Sequence, residues 1–262
     1  IDPTKNSGFN PLQLPDTSEN RSFLADWIRA LVQTSFLQDI SPEENERIYD
    51  AVVGNYKLPQ EHRKICNIAP FLGLEVPGSL ASRLKMWHGE ESHSKLFDND
   101  SDTLNFDNAR VFGFEMGEVL ADGLSLGPVL LYLFHKISLS LDGTPTIIVL
   151  DEAWALIDND VFAPKIKDWL KTLRKLNAMV VFATQSVEDA SKSDISDTLV
   201  QQTATQIFLP NLKATAEYQD TFMLTDREYA LIRTTNPASR YFLAKQGTEV
   251  VIARIDLSGM ED

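Results

Sequence analysis

Apolar residues in the first third of the chain recur with helical spacing. Phe23, Leu24, Trp27, Ile28, Leu31 and Val32 form one stripe of an amphipathic helix, downstream of a loop rich in Asn, Pro and Gly at residues 3–15. Ser41-Pro42-Glu43-Glu44 supplies a serine cap, a proline in the first turn and a glutamate able to close a capping box, so a second helix starts here and runs to about Gly54. Further helical spacing covers residues 60–69 and 78–87, and no strand pattern lies between 16 and 90. Residues 88–102 turn polar and acidic, with Glu90, Glu91, Asp98, Asp100 and Asp102, which reads as an exposed connection rather than a metal site.

The second half changes period. Val111–Phe114 is expected as a short strand, Pro128–Leu141 as a buried helix, and Thr146–Leu150 as a strand buried on both faces. A helix over Pro164–Leu176, a strand over Ala178–Ala183, a helix near Asp197–Gln202 and a strand over Gln206–Leu209 follow. Strands alternating with helices predict a mainly parallel α/β sheet. Thr225-Asp226-Arg227-Glu228 opens a last helix to about Arg233, and residues 240–255 read as a closing hairpin around Gln246-Gly247. The expected organisation is residues 1–15 as the start of an α/β core, 16–103 as an all-helical subdomain with its acidic connection, and 104–262 as the rest of the core.

Composition narrows the partners. The chain has 262 residues with 24 Lys and Arg against 38 Asp and Glu, a net charge of −14, which argues against a surface that coats nucleic acid or an anionic bilayer. Only a local basic patch would serve either. The single Cys66 excludes an intrachain disulfide and a Cys-rich zinc site, and favours a reducing, cytosolic setting. The longest apolar run, residues 124–141, is interrupted by Gly127, Pro128, His135 and Lys136, and no basic-then-apolar leader opens the chain. Ile1-Asp2-Pro3 reads as the end of a strand, so part of a larger protein is expected upstream.

The sharpest chemical signal is Thr146-Ile147-Ile148-Val149-Leu150-Asp151-Glu152, a Walker B pattern. A strand ending in paired carboxylates holds them at the sheet edge where nucleotide and magnesium sit in open α/β folds. There Asp151 would hold the magnesium shell, directly or through water, and Glu152 would orient and deprotonate the attacking water. Gln185 follows the next strand and falls at the same edge, where a glutamine can sense a γ-phosphate or position water. Arg174, on the intervening helix beside Lys171 and Lys175, is either part of a solvated face or an arginine finger for a neighbouring subunit. None of the twelve glycines is followed by lysine, so the chain carries no Gly-x-x-x-x-Gly-Lys-Ser/Thr phosphate loop. That loop, Walker A, is expected upstream of Ile1. His62, His88, His93 and His135 lack metal-ligand spacing, and Ser125 and Ser186 sit in no nucleophile elbow. Trp154 follows the carboxylate pair closely enough to shape the site, although core packing is the commoner role of a tryptophan.

Asp151-Glu152-Ala153-Trp154, then residues 168–175 (DWLKTLRK), then Phe182-Ala183-Thr184-Gln185-Ser186, then Gln206-Ile207-Phe208-Leu209-Pro210-Asn211 resemble the carboxyl-terminal domain of the large VirB-type ATPases of type IV secretion and conjugation systems, the TrbE/CagE family. Residues 2–12 (DPTKNSGFNPL), Trp87-His88-Gly89 and Leu96-Phe97-Asp98-Asn99 are similar to it too. The resemblance implies a RecA-like P-loop NTPase core of the FtsK–HerA class with a smaller helical subdomain. It implies ATP and Mg as ligands, Asp151 and Glu152 as the Walker B pair, Gln185 as sensor, and Arg174 supplied to a neighbouring site in a homo-oligomeric ring of about six subunits. It also implies work at the cytoplasmic face of the bacterial inner membrane, with other secretion components and the coupling ATPase, in pilus assembly and substrate transfer. The missing phosphate loop leaves this chain with the hydrolytic half of the site, so catalysis is expected of the complete protein and not of these residues alone. Two alternatives stand beside it: a DNA-translocating or coupling ATPase of the same superfamily, and, for this stretch alone, a non-catalytic docking module for secretion partners.

Overall fold

The computed structural model describes residues 1–34, 39–107, 109–153, 156, 163–184, 200, 203–256 and 258. The chain divides into two compact units, residues 1–149 with 159–181 and residues 150–158 with 182–262.

The first unit is built on helices α1 (Ser18–Thr34), α2 (Pro42–Lys57), α3 (Ile65–Ile68), α4 (Leu80–Leu84), α5 (Ser94–Phe97), α6 (Gly117–Ala121), α7 (Gly123–Ser140) and α8 (Ala163–Lys175), with short 3-10 turns between them. The expected cap of α2 is present: Ser41 accepts from the Glu44 amide and Glu44 returns a carboxylate oxygen to the Ser41 amide at 2.9 Å. The other Glu44 oxygen accepts from the buried Arg83 guanidinium, so one capping residue also fastens α4 to α2.

The core of this unit is aromatic. Phe97 lies among Trp27 (5.1 Å between ring centroids, edge-on), Trp87 (6.0 Å) and Tyr132 (6.3 Å). The indole N–H of Trp87 donates to the Leu31 carbonyl at 3.0 Å, which satisfies its polar atom inside that core. The opening segment is pinned from below by polar side chains. The Asn99 amide faces the Phe9, Lys95 and Leu96 carbonyls and Ser7 Oγ at 2.9–3.3 Å, and the Asn10 amide donates to the Arg63 and Asn99 carbonyls at 2.9 and 2.7 Å. Asp102 accepts from the Tyr132 hydroxyl and from Lys136 at 3.0 Å, tying the acidic connection to α7. Burial, with Asp102 beside it, holds that hydroxyl protonated well above the ordinary phenol range.

Three sequence expectations change here. The buried helix begins at Gly123 and not at Pro128, because Asp122 caps it by accepting from the Leu124 amide at 3.2 Å; Pro128 is carried inside. Val111–Phe114 forms no strand: Val111 is 86% exposed, and the segment's aromatic rings gather instead with Phe106, 5.0 Å from Phe112. Strand β1 (Thr146–Leu150) is buried on one face only, with Ile148 and Leu150 inside but Ile147 and Val149 exposed at 64% and 62%.

Strand β1 pairs with β2 (Ala178–Phe182). Thr146 N–H donates to the Asn177 carbonyl at 3.3 Å and Ala183 N–H to the Leu150 carbonyl at 2.9 Å, so like ends meet and the pair is parallel. Helix α8 makes the crossover. Asn177 turns the chain out of it with a left-handed backbone (φ 57°), which asparagine tolerates, and donates to the Gly143 carbonyl at 3.1 Å.

The second unit holds a three-stranded antiparallel sheet, β3 (Gln206–Phe208), β4 (Tyr241–Gln246) and β5 (Glu249–Arg254), with α9 (Ala216–Thr221) and α10 (Asp226–Thr234). β3 joins the hairpin in the register Phe208↔Leu243, which drops both side chains into a cluster with Ala214, Tyr218, Leu224 and Ile232. The hairpin turns at Gly247 (φ 59°), as its Gln-Gly sequence predicts. Glu228 closes the capping box of α10 at 2.8 Å and pairs with Lys245 of β4 at 3.1 Å, so helix and hairpin share one carboxylate.

His135 makes the fold pH-sensitive. Its ring stacks on Phe23 with 3.8 Å between centroids, and Nε2 lies 2.7 Å from Asn20 Oδ1. Because the Asn20 amide donates to the Pro15 carbonyl, Oδ1 must accept, and Nε2 carries the proton of a neutral ring. Burial, helped by Lys136, pushes the imidazole down to about 4. A depressed histidine stabilises the fold fully above its unfolded value near 6.5, and that contribution is lost as pH falls through the folded value. Thermal melts should therefore fall between pH 6.5 and 4, ahead of the loss from protonating paired carboxylates, and His135→Gln should flatten that limb. An equally steep limb in the variant would assign it to other groups. At neutral pH, Asn99→Ala should cost roughly 2–4 kcal/mol by chemical denaturation, since it leaves several buried carbonyls without a donor.

Candidate functional site

The site forms where β1 ends. After Leu150 the chain makes a turn through Asp151 and Glu152 and enters a helical residue, Ala153, which is buried together with Leu156. Two backbone bonds hold this turn to the end of β2: Ala183 N–H donates to Leu150 at 2.9 Å, and Ala153 N–H donates to the Ala183 carbonyl at 3.0 Å. A single residue, Ala183, just past the second strand therefore spans both sides of the carboxylate pair.

Closing so short a turn between two fixed points forces its central residue out of ordinary backbone space. Glu152 has φ 50°, in the left-handed region that a residue with a Cβ adopts at a cost of about 1–2 kcal/mol. Asp151 supports it, with Oδ1 accepting from the Glu152 amide at 3.1 Å. The Asp151 side chain is otherwise turned to solvent and Glu152 is half-buried, so the two carboxylates occupy different environments one residue apart. Backbone strain clusters at active sites, and in open α/β folds those lie at the strands' C-terminal ends, as this turn does.

The sequence-predicted residues divide as follows. Asp151 and Glu152 come together in this turn. Thr184 leaves Ala183 from the same edge, and Gln185, next in the chain, lies outside the described residues, as does Trp154. Arg174 lies in the first unit, exposed in the last turn of α8, where the helix dipole favours a cation. Two of the four histidines set aside as ligands have structural work: His93 bridges Asp122 and Ser92 at 2.7 and 2.8 Å, and His135 packs on Phe23. The left-handed backbone of Glu152 was not foreseen, and no residue type in the sequence signals it, because only the backbone contact with Ala183 creates it.

Among the described residues no group of three or more His, Cys, Asp or Glu could hold a metal by itself. Magnesium at a nucleotide site is held by one or two carboxylates together with substrate phosphates and water. Asp151 has the exposure and position for this role. The phosphate cradle has no counterpart in the chain's own glycines, none of which precedes a lysine. Among the described residues no helix is long and apolar enough to cross a membrane.

Comparison with known proteins places the chain in a family. Residues 80–258 match the TraG P-loop domain family. The chain is 38% identical over 266 aligned residues to the type IV secretion system protein virB4 of Bartonella henselae, covering 99% of this chain and 34% of that protein. It is 34% identical to the type IV secretion system protein PtlC of Bordetella pertussis, covering 98% of this chain and 32% of that one. The chain thus spans about a third of the length of the curated relatives it matches. The solved structure of VirB4 from Thermoanaerobacter pseudethanolicus superposes with a TM-score of 0.72 over 99% of this chain and 76% of that one, at 18% identity, and so shares its fold. The RecA-like α/β fold and the VirB-type resemblance read from the motifs are both borne out, and the chain belongs to the TraG P-loop domain family.

Proposed function

We propose that this chain is the hydrolytic part of an ATP-driven motor that energises pilus assembly and substrate transfer in a type IV secretion system. The observation that carries the reading is the strained Asp151–Glu152 turn, clamped beside the strand that leads into Gln185. Magnesium, when bound, would neutralise charge on the β- and γ-phosphates. Asp151 would hold it, directly or through a water. Glu152 would accept the proton of the water that attacks the γ-phosphorus, its half-buried position keeping the carboxylate within the site. Gln185 would orient that water or report the γ-phosphate. Arg174 would reach the nucleotide of a neighbouring subunit in a homo-oligomer.

The relatives named for type IV secretion support other secretion components as partners; the coupling ATPase as one of them, and the cytoplasmic face of the inner membrane as the place, rest on the motif resemblance alone. Because no glycine-lysine phosphate loop is present, the 262 residues alone suit docking better than turnover, and the phosphate grip is assigned to sequence upstream.

A chain extended upstream to include a phosphate loop should hydrolyse ATP, and Glu152→Gln should lower its turnover by about 10²–10⁴-fold. Unchanged turnover would remove Glu152 from the role of base. Glu152→Gly should abolish turnover to the same degree yet melt no lower than the parent, because glycine accepts φ 50° without strain, whereas Glu152→Val should melt lower. Calorimetry with Mg-ATP on the 262-residue chain should give no micromolar binding; a micromolar dissociation constant would overturn the assignment of the phosphate grip to upstream sequence.

A further inference from the structure

Strand β5 forms one edge of the sheet in the second unit, beyond β4, and no further strand pairs with it among the described residues. The opposite edge, β3, is three residues long, short enough to limit unwanted pairing. β5 is six residues long and stays in unbroken register with β4 from Gln246↔Glu249 to Tyr241↔Arg254, with no bulge to twist it away. Edges are otherwise blunted by charge or proline, yet the middle of β5 is Val250-Val251-Ile252-Ala253, with the first three exposed at 41%, 59% and 53%.

Such an edge is a template for another strand, and its backbone groups are aligned for one. Ile255 N–H donates to the Arg240 carbonyl at 3.2 Å, which fixes the alternation of the antiparallel ladder. Glu249, Val251 and Ala253 therefore turn their amides and carbonyls to β4, whereas Val250, Ile252 and Arg254 turn theirs away from the sheet. These same residues carry their side chains on the face of Leu243 and Phe208. That face holds an apolar recess between α10 and the sheet, lined by Phe208, Leu231, Ile232, Tyr241, Leu243 and Ile252. A strand bonded to the outer edge places every second side chain on the side of the recess, the geometry by which strand addition selects its ligands.

The charges of β5 decide which strand fits. Glu249 and Arg254 stand at its two ends, neither has an ion pair among the described residues, and Arg254 lies over the Tyr241 ring at 5.9 Å. An antiparallel ladder sets outward-bonding residues opposite one another. In a second copy of β5, Arg254 therefore cannot face Glu249, the only acid of the strand, because the backbone groups of Glu249 turn to β4. Self-pairing leaves both end charges unmatched, and a different sequence is required to match them.

We propose that the outer edge of β5 receives an extended segment of a partner protein as a fourth, antiparallel strand. In chain order that segment has a carboxylate opposite Arg254, aliphatic residues opposite Ile252 and Val250, and a lysine or arginine opposite Glu249. The contact uses no residue of the Asp151–Glu152 turn, so it can fail while the hydrolytic assignment stands, and the reverse is equally true.

The end-blocked, fluorescently labelled peptide Glu-Thr-Ile-Thr-Val-Lys is the probe. Its anisotropy should rise on titration with the 262-residue chain and give a dissociation constant below about 1 mM. The same residues in scrambled order should bind at least about tenfold more weakly. Arg254→Glu should weaken the original peptide by about tenfold and strengthen one whose first residue is lysine, an exchange that a merely apolar contact would not show. Ile252→Lys should abolish binding with the circular dichroism spectrum unchanged, since this side chain is half exposed. N-methylation of the peptide's isoleucine, which removes a ladder bond and leaves the protein untouched, should abolish it too. No binding in that range, equal binding of the scrambled peptide, or an Arg254→Glu chain that keeps the original preference would overturn the proposal. So would a chain that dimerises in sedimentation and loses its dimers in Ile252→Lys. A chain of the relatives' full length that no longer binds the peptide would overturn it as well, its own sequence then covering the edge.

Discussion

The backbone bonds from Ala183 to Leu150 and from Ala153 to Ala183 are the constraint on which the site depends. Strand β1 delivers two carboxylates to the edge of a sheet, but a strand end alone leaves them free to move. Anchoring both sides of the turn to Ala183, the residue after β2, fixes the path between them, and the short path holds Glu152 in a left-handed conformation. Backbone hydrogen bonds supply the energy that offsets this strain, each contributing about 1 kcal/mol net. The same contact sets where the chain beyond Ala183 begins.

The helical part of the first unit is held by a different means. Its aromatic centre, Trp27, Trp87, Phe97 and Tyr132, is fully buried, but the path of the opening segment is decided by Asn10, Asn99 and Asp102. These side chains stand in for backbone partners that an irregular segment lacks, since residues 1–10 belong to no helix or strand and their buried polar groups still need partners. His135 and Asn20 play the same part where α7 meets α1. Polar groups of this kind specify one arrangement because each bond has a single satisfactory geometry.

Local chemistry was legible wherever one segment of sequence contained the whole interaction. Ser41 with Glu44 and Thr225 with Glu228 both close capping boxes within four residues, and both form as read. The Gln-Gly turn of the last hairpin is another such case. What failed depended on distant partners. Val111–Phe114 has strand-like composition but no strand beside it among the described residues, so its rings gather with Phe106. Thr146–Leu150 has an apolar run suited to burial on both faces, yet Ile147 and Val149 stand exposed because burial is a property of neighbours and not of the run. Asp122 caps α7 six residues before Pro128, where the apolar run alone places the helix start.

The sequence by itself determined the order of elements, the carboxylate pair at the end of β1 and the absence of a glycine-lysine phosphate loop, because each is written in adjacent residues or in residues one helical turn apart. Only the tertiary structure decided that Glu152 is strained, that β3 joins the hairpin, and which face of β1 is covered. These depend on contacts between residues tens of positions apart, Ala183 with Leu150 and Phe208 with Leu243. Such contacts have no local signature, because the free energy that selects them comes from closing the chain on itself.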